Sequence, residues 1–372
     1  MQKVVSKKTT AIISKWFPSK HGGLEGMKAV ERKLSRVDCV IEVHDARAPL
    51  SGRNQKFLEK LRIARPHVLV LNKVDRIPRA TVPYLKNYIL NSETAACKVP
   101  LQTKPIFCSA LGNYNITKII PACVKAIRAF IDENIDFAKS EHNIMIIGVP
   151  NVGKSSLINA IRQEYTGLKN EAARIGAKPG VTRSVMQTIR VSQSPKVYLV
   201  DTPGVLEATP VSYESALRLA LCGCTMDHAV GVQLMAAYLF NFMQTHGIVT
   251  YCNYMGLDKP TDDFKELLES CATMLHASSK TRIGRKEGGY DIRMNLDVAA
   301  AHFVEGFRRG RFGEILLDWE ALPKGMPCWK TDGVLFEEKS EDNQGEEPRS
   351  TKEQMNLSLE ENRGLSTSGS NV

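Results

Sequence analysis

The chain is poor in the features that mark membrane-spanning and disulfide-stapled proteins. No apolar run in its 372 residues approaches the roughly 18 residues that a bilayer-spanning helix needs, and no signal-peptide core follows the first residue. The nine cysteines are odd in number and scattered. The closest pair, Cys222 and Cys224, lacks the second ligand pair of a zinc site. We therefore expect reduced thiols, no zinc site at Cys222 and Cys224, and a soluble protein that can still attach to a surface.

Acidic residues are missing from residues 1–24, which carry five lysines with serine and threonine between them. This composition is typical of a mitochondrial import segment, and a basic arm that touches RNA has the same composition. Acids accumulate at the other end, where residues 331–372 hold ten acids and four bases. The whole chain has a net charge of +10, so the first 330 residues carry +16. That excess favours a polyanionic partner, either nucleic acid or an anionic membrane surface.

The remaining sequence has enough apolar residues for real cores. Hydrophobic residues make up 43% of the chain and charged residues 24%, which excludes a mainly disordered or collagen-like chain. Short apolar segments alternate with amphipathic stretches, and this pattern indicates a mostly parallel sheet with helices on both faces. The predicted strands are Val37–Val43, His67–Leu71, Ile144–Ile147, Met186–Val191 and Val197–Val200, and the predicted helices are 25–36 and 115–131.

The pattern changes to helices alone after residue 208, which predicts a small all-α domain. These helices are expected at 212–223, 230–245, 261–277 and 296–309. We therefore predict four segments: a basic N-terminal arm or import segment (1–24), an α/β domain (25–207), a helical C-terminal domain (208–325) and a disordered acidic tail (326–372).

A phosphate-binding pattern directly follows the predicted strand at 144–147. It reads Gly148-Val-Pro-Asn-Val-Gly153-Lys154-Ser155. Glycines let backbone N–H groups curl around phosphates, and the following helix presents its positive end to them. We expect Lys154 to act as a catalytic group that bridges the β- and γ-phosphates, and the Ser155 hydroxyl to bind Mg²⁺. The residues expected around the phosphates are Asn151, Val152, Gly153, Lys154, Ser155 and Ser156.

Two further motifs fit a triphosphate bound with Mg²⁺. Asp201-Thr-Pro-Gly204 ends the last predicted strand, so Asp201 can hold Mg²⁺ through water and the Gly204 N–H can reach the γ-phosphate. Pro179-Gly-Val-Thr182-Arg183 precedes that strand, and Thr182 is a catalytic and metal-binding candidate because a mobile threonine can close over Mg²⁺. Ordinary turns would explain either motif in isolation.

A guanine-specific motif, Asn72-Lys73-Val74-Asp75, caps the predicted strand at 67–71. The Asp75 carboxylate can accept hydrogen bonds from the N1–H and the exocyclic amine of guanine, whereas adenine presents the wrong donor pattern. Asn72 can meet the opposite edge of the base, and the Lys73 stem can lie over the ring. Ser109 and Ala110 would complete the base pocket through backbone N–H groups. Solvated turns are the alternative for both segments.

The order of these motifs is unusual, because the base motifs precede the phosphate loop. This order is expected of a circularly permuted P-loop GTPase domain. In Trp16-Phe-Pro18, Asp45-Ala-Arg47, Gly148–Asn159 and Pro179–Arg183, the chain resembles the circularly permuted, YlqF-type ribosome-assembly GTPases over roughly residues 15–320. Since the chain runs from Gly204 straight into the helical domain, we also predict that GTP binding gates the partner contacts of that domain.

The resemblance implies a function, a cellular location and binding partners. It implies a factor that assembles the mitochondrial large ribosomal subunit, binds its ribosomal RNA and no DNA, and lies in the matrix, peripherally on the inner membrane. Val205 stands where many GTPases have the glutamine that orients the attacking water. Relatives carry a catalytic histidine in Trp-Phe-Pro-Gly-His. In this chain His21 stands one position further on, and a surface histidine is the alternative.

Asn151 resembles the asparagine by which related GTPases bind K⁺ near the phosphates. A cation there would offset the charge that develops between the β- and γ-phosphates. A hydrogen bond from Asn151 to its own loop is the alternative.

The segment Lys280–Arg311 carries eight bases against four acids; it contains Phe303 and Phe307, and Phe312 follows it directly. It could pair phosphate contacts with stacking on RNA bases, and a solvated face with core phenylalanines is the alternative.

The leading hypothesis is a Mg²⁺-dependent enzyme that cycles between GTP and GDP on a maturing mitochondrial large subunit and so regulates mitochondrial translation. The alternative is a GTP-sensing, ribosomal-RNA-binding scaffold with incidental hydrolysis. An ATPase is less favoured because Asp75 selects guanine.

Overall fold

The computed structural model describes residues 36–53, 55–96, 103–130, 141–167, 188–193, 196–201, 210–283 and 289–322, together with residues 12, 15, 34, 101, 328–329 and 335–336. Six strands form one sheet: β1 (Cys39–Asp45), β2 (His67–Asn72), β3 (Ile106–Phe107), β4 (Glu141–Ile147), β5 (Thr188–Gln193) and β6 (Lys196–Asp201). Their spatial order is β3-β2-β1-β4-β6-β5. The neighbours are parallel except β5, which pairs antiparallel with β6.

The five predicted strands are confirmed, with ends shifted by a few residues. β4 precedes the phosphate loop and lies between β1 and β6. In doubly wound sheets, ligands bind at the carboxyl ends of the strands, where the chain departs to opposite sides. The topology therefore places the candidate site at the carboxyl end of β4.

Both faces of the sheet are covered, as the strand β2 shows. Val68 and Val70 pack in the main core, which includes buried residues of α3 (Ile119–Phe130). Leu69 and Leu71 pack in a second core with Leu85 and Ile89 of α2 (Thr81–Ala96). Because side chains alternate between the faces of a strand, a strand buried on both faces carries apolar side chains at most of its positions.

Two more helices lie among the described residues of this part, α1 (Gln55–Ala64) and α4 (Lys154–Thr166). The helix predicted at 115–131 is confirmed as α3. The helix predicted at 25–36 lies outside the described residues except for residues 34 and 36. Among the described residues, no helix is both long and apolar enough to cross a membrane.

One charged residue lies in the middle of the sheet. Glu42 of β1 is fully buried and accepts hydrogen bonds from His44 Nε2 at 2.5 Å and His67 Nε2 at 2.7 Å. Arg53 lies 3.3 Å from the same carboxylate. Burial raises the pKa of Glu42, but Arg53 and His44 outweigh it and hold that pKa well below its usual value. The carboxylate therefore stays charged inside the fold, because its partners replace water.

The C-terminal part contains α5 (Tyr213–Leu221), α6 (Asp227–Val230), α7 (Val232–Thr245), α8 (Phe264–Met274) and α9 (Leu296–Arg309). The four predicted helices are confirmed here, and α9 has the predicted bounds. Each of α5, α8 and α9 is preceded by a capping residue whose side chain accepts a backbone N–H of the first turn, namely Ser212, Asp263 and Asn295.

The all-α description of this part needs correction, because an antiparallel hairpin joins α8 to α9. Its strands are β7 (Ser278–Ile283) and β8 (Gly289–Met294). These strands are mostly polar and carry little apolar periodicity, so the pattern that reveals buried strands was weak there. Two short strands, β9 (Cys328–Trp329) and β10 (Leu335–Phe336), pair within the segment predicted as a disordered tail.

A buried carboxylate joins the C-terminal part to the loop after β1. Asp318 is fully buried, and its Oδ2 accepts the backbone N–H groups of Leu50 at 2.6 Å and Ser51 at 3.0 Å. The Ser51 hydroxyl also donates to Asp318, and the Arg218 guanidinium lies 3.5 Å from Oδ1. One side chain therefore satisfies donors from both parts of the chain.

Replacing Asp318 by alanine should lower the free energy of unfolding by about 3 kcal/mol, because buried donors and a buried arginine lose their acceptor. Urea denaturation followed by circular dichroism would measure the change. Glu320→Ala is the matched control. Glu320 pairs with the same Arg218 at 2.8 Å, but its side chain is 51% exposed, so its loss should stay below about 1 kcal/mol. Equal losses in the two variants would contradict the role of Asp318.

Candidate functional site

The predicted motifs meet at one edge of the sheet. Asp45 at the end of β1 lies opposite Asn72 at the end of β2, and Glu42 lies opposite Ile147 of β4. Asp201 ends β6, the other neighbour of β4. The carboxyl ends of parallel strands share an edge, so the base motif, the phosphate loop and the candidate Mg²⁺ aspartate come together although they are far apart in the chain.

The phosphate loop connects β4 to α4, and two of its residues have a left-handed backbone. Asn151 has φ of 60° and Gly153 has φ of 93°. A Cβ atom at Gly153 would collide with the Asn72 amide nitrogen, so glycine is required both for its backbone angle and for its close contact. Lys154 Nζ donates to the carbonyls of Gly148 and Val149, each at 2.8 Å. Its ammonium therefore lies over the loop that is expected to hold the phosphates.

Ser155 and Ser156 follow Lys154 in the first turn of α4 and are half-buried. Ser155 follows the end of β4, and Asp201 is the last residue of the neighbouring strand β6, so the two residues lie at the same edge of the sheet. A Mg²⁺ ion takes much of its coordination from phosphate oxygens and water, so it needs few protein ligands here. Mg²⁺ binding by Ser155 and Asp201 stays a prediction. Within the described part of the chain, no cluster of three or more His, Cys, Asp or Glu residues suits a metal ion.

Asn72 bridges the base motif and the phosphate loop. Its Nδ2 donates to the Val152 carbonyl at 2.9 Å, and its Oδ1 accepts the Ala110 N–H at 3.0 Å. The Ser109 N–H donates to the Tyr114 carbonyl at 3.1 Å. The backbone N–H groups of Ser109 and Ala110 therefore already donate to protein acceptors. Either group would have to leave its present acceptor in order to donate to a guanine carbonyl. Direct contacts of Asn72, Ser109 and Ala110 with the base stay predictions.

Lys73 connects three segments of the site. Its backbone is left-handed, with φ of 64°, and its Nζ donates to Asp45 Oδ2 at 2.8 Å and to the Asn151 carbonyl at 2.7 Å. Asp75, two residues further on, is more accessible: its side chain is 38% exposed and lies 3.1 Å from the Arg76 guanidinium. The lysine is therefore held by the protein, whereas Asp75 is open to a ligand.

Asp45 was missed as a site residue by motif reasoning, which noted it only as part of the family resemblance. Burial raises the pKa of Asp45, but the charges of Arg47 and Lys73 outweigh it and hold that pKa well below its usual value. The signal that could have identified Asp45 as a site residue was its position at the end of a predicted strand. In the structure this strand lies beside the one that ends in Asn72.

The phosphate loop also contacts the C-terminal part directly. The Asn151 amide nitrogen donates to the Gly223 carbonyl at 2.7 Å, just after the end of α5. No sequence pattern linked these two residues, because they are joined only by the fold. This contact adds a third role for Asn151 beside the two considered from the sequence.

In the region predicted to contact RNA, the phenylalanines and Arg308 have structural roles. Phe303, Phe307 and Phe312 are at most 2% exposed and therefore belong to the core. The prediction that these rings stack on RNA bases is wrong, because buried rings cannot reach a base. Arg308 forms an ion pair with Asp227 and donates to the carbonyls of Ala220 and Leu221. Arg308 therefore holds the end of α5 in place.

Three proposed site residues, His21, Thr182 and Gly204, lie outside the described residues. Asp201 is described by its backbone alone, as the last residue of β6.

A P-loop, a guanine motif upstream of it and a shared sheet edge define a circularly permuted GTP-binding domain. The family described as 50S ribosome-binding GTPase matches residues 143–277. This match begins at β4, so the guanine motif at 72–75 precedes it, as permutation requires. The protein is a GTPase, and a scaffold with incidental hydrolysis is not favoured.

Comparison with known proteins then identifies the particular family. The chain is 41% identical over 303 residues to mitochondrial GTPase 1 of Aedes aegypti, covering 82% of this chain and 93% of the relative. It is 40% identical over 311 residues to mitochondrial ribosome-associated GTPase 1 of Xenopus tropicalis, covering 82% and 94%. Ribosome biogenesis GTPase A of Bacillus licheniformis is 28% identical over 309 residues, covering 82% and 97%. The chain belongs to the mitochondrial ribosome-associated GTPase 1 family.

Changing Asn72 to aspartate should weaken GDP binding roughly 10- to 100-fold, since the loss of a buried hydrogen bond costs about 1–3 kcal/mol. The carboxylate would face the Val152 carbonyl, and the phosphate loop would lose its tie to β2. Titration with a fluorescent GDP analogue would measure the affinity. Asn87→Asp, on an exposed position of α2, adds the same charge and should leave the affinity unchanged. Unchanged affinity in Asn72→Asp would show that the bridge is dispensable.

Proposed function

We propose that this protein is a GTP-driven assembly factor for the large subunit of the mitochondrial ribosome. It acts in the matrix, peripherally on the inner membrane, and regulates mitochondrial translation through subunit maturation. The names of its relatives support the ribosomal partner and the mitochondrial location. The observation that carries the mechanism is the hydrogen bond between Asn151 of the phosphate loop and Gly223 of the C-terminal part, at 2.7 Å.

In the nucleotide site, each residue has a distinct role. Asp75 selects guanine, the loop from Asn151 to Ser156 holds the phosphates, and Lys154 bridges the β- and γ-phosphates. Ser155, Thr182 and Asp201 hold Mg²⁺, and the Gly204 N–H contacts the γ-phosphate. When bound, Mg²⁺ neutralises charge on the phosphate oxygens. The partly exposed Asp75 carboxylate and the left-handed backbone of Asn151 and Gly153 support this assignment.

Gating follows from the contacts around Gly223. Its N–H donates to the Ala220 carbonyl at 2.9 Å, and Arg308 of α9 donates to that same carbonyl at 2.9 Å. A movement of Asn151 on phosphate binding would therefore act on the α5 end and, through Arg308, on α9. This is a short mechanical path from the γ-phosphate to the ribosome-binding part.

A potassium ion held by Asn151 would complete the phosphate site. The Gly223 carbonyl takes the amide nitrogen of Asn151, so it can orient the amide oxygen as a ligand. Equal GTP hydrolysis in K⁺ and Na⁺ buffers would exclude this ion.

We propose that ribosomal RNA contacts the hairpin of β7 and β8. Lys280 and Arg282 of β7 stand opposite Ile292 and Tyr290 of β8, and further bases follow in the sequence between the two strands. RNA affinity should fall steeply with added salt, because phosphate contacts release counterions. A flat salt response would exclude this contact.

GTP should strengthen the association with large-subunit particles. We expect the affinity for these particles to be at least about 5-fold higher with a non-hydrolysable GTP analogue than with GDP. A change of about 5-fold is at the low end of the coupling usually found between two allosteric sites. Co-sedimentation of the full chain with particles from mitochondria would measure it, with small-subunit particles as the control. Identical affinities in the two nucleotide states would overturn the gating.

Hydrolysis should be slow in isolation and stimulated by the particles, because Val205 cannot orient water. We propose His21 as the group that does so. His21→Ala should lose at least about 10-fold of the particle-stimulated rate, measured as phosphate release under single-turnover conditions. His228→Ala, an exposed helical histidine, is the control. Undiminished hydrolysis would remove His21 from the mechanism.

A further inference from the structure

Asp45 is a buried carboxylate that contacts the guanine motif without belonging to any of the nucleotide-binding motifs. We propose that Asp45 is a positioning residue for Lys73 and thereby sets the affinity for guanine nucleotides. This inference rests on nucleotide binding at this sheet edge, as proposed above, and is independent of any ribosomal partner.

The geometry around Lys73 shows what Asp45 does. The lysine ammonium lies between Asp45 Oδ2 at 2.8 Å and the Asn151 carbonyl at 2.7 Å. A lysine side chain has a long, flexible stem, so ordering it costs rotamer entropy. Asp45 orders that stem before a ligand arrives. The stem is then in place to lie over the base while its ammonium steadies the phosphate loop.

Asp45 is itself held rigidly by a second cation. Arg47 donates to its carboxylate through Nε at 3.0 Å, through a terminal nitrogen at 2.8 Å and through its backbone N–H at 3.0 Å. The Asp45 side chain is only 3% exposed. A carboxylate with these donors in a buried site has one orientation available, so it can direct Lys73.

The second cation ties this arrangement to the C-terminal part. The Arg47 guanidinium lies 4.8 Å from the centre of the Phe307 ring, and the Arg47 carbonyl accepts the Leu317 N–H at 2.8 Å. The placement of Lys73 therefore depends, through Asp45 and Arg47, on Phe307 of α9 and on Leu317. Asp45 is the residue where the base motif, the phosphate loop and the C-terminal part are linked.

A double-mutant cycle between Asp45 and Lys73 tests the proposal. Asp45→Asn and Lys73→Met should each weaken the binding of a fluorescent GDP analogue about 10- to 100-fold, as expected for a hydrogen bond to a charged group. The double variant should bind within about twofold of the weaker single variant, because both changes remove one interaction. A merely structural role of Asp45 would instead multiply the two losses.

Two further variants keep the test decisive. Asp38→Asn is the matched control: Asp38 precedes β1 at its opposite end and accepts the Asn143 N–H at 2.9 Å, so its loss should leave GDP affinity within about twofold. If Asp45→Asn does not fold, Asp45→Glu keeps the counter-charge of Arg47 but displaces the carboxylate, and its cycle with Lys73→Met has the same expected outcome.

Three results would overturn the inference. Multiplied losses in the double variant, or wild-type affinity in Asp45→Asn, would remove Asp45 from the positioning of Lys73 while leaving the proposed function intact. Failure of the unmodified full chain to bind either GDP or GTP would overturn the proposed function and this inference together.

Discussion

The parallel register of β2, β1 and β4 is the constraint on which the nucleotide site depends. It places Asp45 opposite Asn72 and brings the ends of all three strands to one edge. Spatial order, rather than chain order, decides which loops meet there. The base motif can therefore precede the phosphate loop in the chain, and permutation leaves the site intact. What permutation changes is the connection after β6, which leads directly to the C-terminal helices.

Buried carboxylates make the sheet edge and the C-terminal helices depend on each other. Asp45 is paired with Arg47, which packs on Phe307, and Asp318 accepts donors from the loop after β1. Removing a charge from water is costly unless several partners replace the solvent. Asp318 has donors from both parts of the chain, whereas the donors of Asp45 lie at the sheet edge and reach α9 only through the contact of Arg47 with Phe307. The C-terminal part is therefore built into the nucleotide edge rather than attached beside it.

Helices and strands with a clear spacing of apolar residues could be predicted from the sequence, and those without such a spacing could not. β2 and α9 were predicted almost to the residue, because a strand buried on two faces and a helix with one apolar face leave clear periodicities. The hairpin of β7 and β8 was missed because polar strands on a small ribbon carry little such signal. Phe303 and Phe307 were open to two interpretations, and their burial in the core decided between them.

The local motifs, and with them the chemistry of GTP and Mg²⁺, were determined by the sequence alone, because a phosphate loop needs particular residues at fixed short spacings. Asp75 likewise indicated guanine from four adjacent residues. Only the tertiary structure decided that Asn72 bridges two loops, that Asp45 holds Lys73, and that Asn151 reaches Gly223. Each of these contacts joins residues that are distant in the chain. Such pairs are brought together by strand register and core packing, which no local spacing encodes.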